Sequence, residues 1–144
     1  MEIFQPSQIS DPIVAAFERL MPQLNAHHLI PTLTELEDIL QSGASMLFFA
    51  AEPDAQGEII GALTLVVFRT PAGVHAWIED VVVDEACRGR GIGEALTRAA
   101  MQRAAELGAQ HIDLTSHPAR EAANRLYLRL GFERRETNLY RFKL

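Results

Sequence analysis

Three glycines fall within five residues in the run Arg88-Gly89-Arg90-Gly91-Ile92-Gly93, although the chain has only nine in 144 residues. Ordering a glycine costs about 0.5–1 kcal/mol relative to alanine in a regular element, so the cluster marks a backbone that turns tightly or approaches something closely. Where such a run opens a helix, unpaired N–H groups and the positive end of the helix dipole form an anion site. Arg88 and Arg90 add charge there, and a phosphate or pyrophosphate is the expected ligand. A Walker A loop needs a lysine that this region lacks, which excludes triphosphate hydrolysis by that route. A dinucleotide fingerprint needs a third glycine where Glu94 stands, although Asp113 sits where a ribose-binding acid would. On spacing alone, a bare tight turn stays open beside the phosphate reading.

Other side chains in the chain could do chemistry. Glu79 and Asp80 interrupt the apolar run Trp77-Ile78-Glu79-Asp80-Val81-Val82-Val83, and acids in such a run are costly unless paired or used. In a regular strand they would point to opposite faces. A salt bridge to an arginine and a functional role stand about even. Tyr127 lies on an apolar helical stripe, where a tyrosine is usually core with its hydroxyl satisfied. Cys87 is the single cysteine, which excludes an intramolecular disulfide and a CxxC motif. A nucleophilic cysteine would want a nearby histidine, so Cys87 reads as a spare thiol. His117, beside Pro118, is a loop residue or a proton carrier. His27-His28 lacks a matching acid-and-histidine spacing, and no metal is assigned.

The elements that must position these groups follow from periodicity. Ile13, Val14, Phe17, Leu20, Met21 and Leu24 describe an amphipathic helix over residues 11–24, which Pro22 should end or kink. Thr32 with Glu35 forms a capping box that opens a second helix carrying Leu33, Leu36, Ile39 and Leu40, stopped by Gly43. Three strands follow, Met46–Glu52, Glu58–Phe68 and Val74–Val83, joined through Pro53-Asp54-Ala55-Gln56-Gly57 and Pro71-Ala72-Gly73 as an antiparallel meander. A helix over Ile92–Leu107 and a short strand over His111–Thr115 add a parallel pair. A helix from Ala119 to Leu130 and a strand over Asn138–Lys143 complete the order ααβββαβαβ. Neither repeats nor a dividing linker is visible, so residues 1–144 read as one mixed α/β domain.

Composition agrees with one soluble globular core: 48% hydrophobic and 22% charged residues, near the ordinary averages. The net charge of −6 excludes an indiscriminate nucleic-acid binder. That total conceals a split, since residues 1–60 hold nine acids against the single base Arg19, and residues 61–144 hold ten acids against twelve bases. All but one of the basic residues are arginine, whose planar fork suits phosphate and carboxylate. Neither an export signal nor a run of 18 apolar residues is present, so a cytoplasmic location without membrane contact is expected.

The run from Val82 to Gly93 resembles the coenzyme A motif of the Gcn5-related N-acetyltransferases (GNAT), [QR]-x-x-G-x-[GA] after a strand and opening a helix. Asn124-Arg125-Leu126-Tyr127-Leu128-Arg129-Leu130-Gly131-Phe132 is similar to the family's second segment, a helix bearing a tyrosine before Gly-Phe. With the strands around them the two motifs cover residues 74–143, while the first 70 residues match in element order only.

The resemblance implies acetyl-CoA as cosubstrate, lying between the strand ending at Val83 and the one beginning near His111. Backbone groups of Val81 and Val83 would bond its pantetheine arm, and amides from Arg88, Gly89, Arg90, Gly91, Ile92 and Gly93 its pyrophosphate. Tyr127 would protonate the departing thiolate. The Glu79-Asp80 pair resembles the same step in polyamine and glucosamine-phosphate acetyltransferases, which makes Glu79 the base and Asp80 the amine contact, with the roles exchangeable. The family often places asparagine seven residues before the tyrosine; here Arg120 stands there, and Asn124 is the remaining candidate for the cofactor.

The reading is an N-acetyltransferase that passes an acetyl group directly to a primary amine of a small molecule or peptide. The acidic first sixty residues suggest a cationic acceptor, and a homodimer is compatible with the reading. Its rivals are a silent CoA-binding regulatory module and a dinucleotide-binding protein.

Overall fold

A computed structural model describes residues 1–27, 29–54 and 57–144. His28 of the histidine pair, and Ala55 and Gln56 of the expected turn, lie outside the described residues. The chain divides into two compact units, Met1–Leu114 and Thr115–Leu144. The class is mixed α/β, as expected.

The first unit contains β1 (Glu2–Phe4), α1 (Asp11–Leu24), α2 (Leu33–Gln41), β2 (Ser45–Ala51), β3 (Ile59–Thr70), β4 (Gly73–Val83), α3 (Ile92–Glu106) and β5 (Ile112–Asp113). The sheet runs in the order β1-β2-β3-β4-β5, antiparallel through β4 and parallel between β4 and β5. β1 is an addition to the expected order: three residues are too short to display a period, yet Ile3 pairs with Ala50 at the edge of β2. Pro22 does not end α1, which continues to Leu24. The carbonyl it leaves without a helical partner belongs to the exposed Glu18, where the cost of a missing bond is smaller than in the core.

Leu47 through Ala51 are all buried, which requires cover on both faces of β2 because successive side chains alternate. Ile13, Phe17, Leu20 and Met21 of α1 and Leu36 of α2 pack with Leu47, Phe49, Ala62 and Val82 on one face. Phe17 meets Phe49 edge-on at 5.6 Å. On the other face α3 buries Ile92, Leu96, Ala100 and Ala104. The close approach of α3 depends on Gly61, where a Cβ would lie 3.1 Å from both Ile92 Cγ2 and Leu96 Cδ1.

The second unit holds α4 (Glu121–Arg129), shorter than the expected span, ended by Gly131 at φ 96°. The expected strand over Asn138–Lys143 does not form. A strand needs a ladder partner as well as apolar residues, and Leu139, Tyr140 and Phe142 are 68%, 87% and 87% exposed.

Candidate functional site

The glycine run lies between β4 and α3, as its sequence implied. A one-turn 3-10 helix, Glu85–Cys87, follows β4, with the Asp84 side chain accepting from the Ala86 amide at 3.0 Å. Gly89 and Gly91 both take φ 78°, the left-handed region that costs an L-residue roughly 1–2 kcal/mol. A Cβ at either position would meet nothing within 4 Å, so in the protein itself conformation, not space, demands glycine here. Gly91 caps α3, and the first helical bond runs from Ala95 N–H to the Gly91 carbonyl at 3.0 Å. The amides of Ile92 and Gly93 precede it and sit at the positive end of a 15-residue helix, suited to an anion.

The two arginines behave differently. Arg88 is exposed and donates from Nε to the Val83 carbonyl at 3.3 Å. Arg90 makes a two-pronged pair with Glu52, Nη1 to Oε1 at 2.6 Å and Nη2 to Oε2 at 3.1 Å. The Arg90 hydrogen bonds hold the Glu52 carboxyl below its ordinary range, against a smaller opposing effect of burial. The Arg90 fork is thus already engaged by a carboxylate.

β4 departs from regular pairing where the acids stand. Its register with β3 shifts between Ala62 and Thr64, so that Val82 pairs with Ala62 and Glu79 with Thr64. Three steps on β4 therefore match two on β3, which is a bulge at Asp80 and Val81. Asp80 is the one non-glycine residue with positive φ among the described residues, at 51°. Regular strand alternation, on which the opposite-face expectation rests, does not hold through the bulge, and Glu79 and Asp80 are both exposed. Among the described residues of 1–114, neither pairs with an arginine. On its other side β4 pairs with β5 at Ala76 and Trp77.

Sequence reasoning missed the anchor beneath the loop. Arg19 of α1 donates from Nε to Asp84 Oδ2 at 2.8 Å, bonds the Ile59 carbonyl and pairs with Glu58 at 3.1 Å. Asp84 is 9% exposed. Burial pushes its carboxyl up, but the Ala86 amide and the Arg19 guanidinium outweigh this and hold it below the ordinary range. Gln23 accepts from the Glu85 amide at 2.8 Å. The available signal was Arg19 itself, the lone base among sixty residues.

In the second unit Tyr127 is 7% exposed, with its ring 5.8 Å from that of Phe132. Burial raises its hydroxyl above the ordinary value, partly countered by Arg120, so the neutral proton-bearing form persists. Asn124 donates to the His117 carbonyl at 3.0 Å, and His117 Nδ1 accepts from the Ala119 amide at 3.0 Å. Both therefore tie down the start of α4, which accounts for His117 as a loop residue. Cys87 is partly exposed in the 3-10 turn.

The chain matches the profile of the acetyltransferase (GNAT) family over residues 13–132. It is 34% identical over 115 residues to the uncharacterized N-acetyltransferase YhdJ of Bacillus subtilis (strain 168), covering 78% of this chain and 80% of that one. It is 32% identical over 123 residues to glucosamine 6-phosphate N-acetyltransferase 1 of Oryza sativa subsp. japonica, covering 79% and 72% respectively. Its fold is similar, with a TM-score of 0.76 at 22% identity, to AAC(6')-Iy solved in complex with the bisubstrate analogue CoA-S-monomethyl-acetylneamine. That match covers 99% of this chain and 97% of the other.

Proposed function

This chain belongs to the GNAT acetyltransferase family, and from that premise we propose that it transfers an acetyl group from acetyl-CoA directly to a primary amine. The observation that carries the cosubstrate is the loop with two left-handed glycines opening α3. In this reading the amides of Ile92 and Gly93, with Gly89, Arg90 and Gly91, receive the pyrophosphate, and the exposed Arg88 adds a charge. Backbone groups of Val81 and Val83 near the end of β4 accept the pantetheine arm. Asn124 is a further coenzyme contact.

The amine must arrive without its proton. Glu79 takes that proton, directly or through water, and Asp80 holds the amine. The nitrogen then attacks the thioester carbonyl carbon, and backbone N–H groups around Val81 steady the oxyanion. Collapse breaks the carbon–sulfur bond, Tyr127 protonates the thiolate, and the proton shed by the nitrogen as it becomes the amide returns through water to the Tyr127 phenolate. The strained backbone at Asp80 supports this assignment, since such strain collects at functional sites. Direct transfer makes the kinetics sequential and leaves Cys87 without a covalent role.

The acceptor is proposed to be a cationic small-molecule or peptide amine. Two named relatives support an amine acceptor, one acting on glucosamine 6-phosphate and one bound to an acetylneamine analogue. No helix among the described residues is long and apolar enough to cross a membrane; a cytoplasmic location, residues 1–144 as one acetyltransferase domain, and a homodimer belong to the proposal.

Thermal melting with acetyl-CoA against NAD tests the cosubstrate. A hundredfold excess over Kd stabilises by about 2.7 kcal/mol, and a shift with NAD but not acetyl-CoA would overturn the reading. A thiol-release screen over an amine panel tests turnover.

A further inference from the structure

We propose that the strip of sheet carrying Trp77 and Asp113 is the acceptor platform, and that its occupant is a small diamine built on a ring, with the ring on Trp77, one amine at Glu79 and the other at Asp113. The inference rests on the reading of Glu79 as the base and names the acceptor class for that site.

The strip follows from register. Side chains paired across a sheet share a face, and alternate residues along a strand return to it. One face of β3 and β4 carries Gly61, Leu63 and Leu65 with Ile78 and Ala76, all buried, and α3 meets it at Gly61. The opposite face starts with Ala62 and Val82, packed with α1. It continues through the pairs Thr64 with Glu79, Val66 with Trp77 and Phe68 with His75, and there the burial fades: Val66, Trp77 and His75 are half-buried, Glu79 and Phe68 exposed. β5 extends the same face, because Asp113 stands beside Trp77.

The chemistry of the strip selects its occupant. Trp77 offers an indole that stacks flat rings and attracts an ammonium at its face. Asp113 is one strand across from it, about 4.8 Å, and Glu79 two residues along, about 6.7 Å, so the backbones beneath the two acids stand about 8 Å apart. A six-membered ring with an aminomethyl group at each end spans that gap. Neither lysine nor arginine stands at the six paired positions, so the fixed charge of the strip is its two carboxylates. Asp113 Oδ2 lies 3.4 Å from His111 Nε2 and its side chain is 45% exposed. That separation exceeds the ~2.7–3.2 Å of an ordinary hydrogen bond, so the carboxylate takes an ammonium where it stands. The outer end is lined by rings. Phe68 stacks on His75 at 5.5 Å and 27°, and His75 meets His111 edge-on at 5.1 Å, with His75 Nε2 held 2.9 Å from Thr70 Oγ1. From His75 to Glu79 is about 13 Å at strand rise, room for one ring and its two amines.

Trp77 is the only tryptophan, so its emission reports the platform directly. The probes are para-xylylenediamine, benzylamine, which keeps the ring and one amine, and hexamethylenediamine, which keeps two amines without the ring. Added to the full chain without acetyl-CoA, para-xylylenediamine should change the emission saturably and bind ~5-fold or more tighter than either control. Asp113→Asn should remove its advantage over benzylamine and leave benzylamine binding unchanged, a selectivity that a merely structural effect would not produce. By calorimetry Trp77→Phe should retain most of the affinity and Trp77→Leu lose ~10-fold, with a cooperative melt confirming the fold of each variant. In the acetyl-transfer assay the same changes should appear in acceptor KM more than in kcat. Equal binding of the three probes, or an Asp113→Asn variant that keeps the preference for the diamine, overturns the proposal. So does an emission that shifts with protein concentration and not with diamine, which gives the strip to a second copy. Saturable, Asp113-dependent diamine binding without acetyl transfer upholds the diamine site and overturns the transfer reading, whereas transfer to amines with no response at Trp77 overturns the platform alone.

Discussion

Replacing Gly91 by alanine isolates the backbone requirement of the loop. The residue sits at φ 78° and ψ 8°, and an added Cβ would touch nothing within 4 Å. The penalty is therefore conformational, roughly 1–2 kcal/mol for an L-residue held left-handed, less about 0.4–1 kcal/mol from the stiffer unfolded chain. A net loss near 1 kcal/mol corresponds to a Tm lower by about 4 °C in a chain of this size. The loop has a second response, in which residue 91 relaxes to negative φ and carries the amides of Ile92 and Gly93 out of alignment. Binding acetyl-CoA must then restore the strained form, so affinity falls by up to the same ~1–2 kcal/mol, about 5- to 30-fold. Gly91→Asn should lose less on both counts, because asparagine tolerates this conformation. Gly61→Ala is the contrasting control: its backbone is unstrained, but its Cβ would lie 3.1 Å from Ile92 Cγ2 and Leu96 Cδ1, so its effect runs through side-chain crowding against α3 and leaves the loop conformation alone. Calorimetric titration with acetyl-CoA beside melting curves reads both effects. Wild-type Tm and affinity in Gly91→Ala, or no advantage of asparagine over alanine, would refute the reasoning.

Four further outcomes are expected. Tyr127→Phe should lower kcat by ~10²–10⁴ while acetyl-CoA affinity holds; because burial raises the hydroxyl pKa, the alkaline limb of the kcat profile that reports Tyr127 should lie above the ordinary tyrosine value. Asp84 has a carboxyl lowered in the native state, so the stability it contributes is full above the unfolded value near ~3.9 and is lost as pH falls through the lower native value. Urea midpoints should therefore drop in acid more steeply for the wild type than for Asp84→Asn, and parallel curves would contradict this. Glu52→Gln releases Arg90 from its pair and should tighten acetyl-CoA binding at low salt; weaker binding would mean that Glu52 serves to place the loop. The acceptor KM should rise with ionic strength if the acceptor is cationic, and a flat salt profile counts against that charge.

Element type was legible wherever a period had room to repeat. The Thr32–Glu35 capping box, the α3 start at Ile92 and the Pro71-Ala72-Gly73 turn into β4 all stand where the sequence puts them. What failed was pairing. β1 is too short to announce itself, and the apolar residues of Asn138–Lys143 form no ladder among the described residues. The site divides in the same way. The glycine loop is local chemistry and is readable residue by residue, whereas the Asp80 bulge depends on which β3 residues lie opposite. The engagement of Arg90 by Glu52 spans 38 positions and that of Asp84 by Arg19 spans 65, beyond the reach of any local pattern.

The long-range pairs also change what the charge split means. Nine acids against one base in the first sixty residues suggest a negative field facing the acceptor, but several of those acids already have structural roles. Glu52 holds Arg90, Glu58 holds Arg19, and Glu35 closes the box at the start of α2. The acids left exposed away from these roles include Glu2, Glu18, Glu37 and Asp38, and any attraction for a cation must come chiefly from them. The same pairing lowers the positive charge that the late half offers at the loop, since Arg90 is already paired with Glu52. In the proposed reading, affinity for the pyrophosphate then rests on the α3 amides, the helix dipole and Arg88. α1 grips Asp84 through Arg19 and Glu85 through Gln23 just before the loop, so the acidic half contributes to the proposed cosubstrate site by fixing the geometry of its approach.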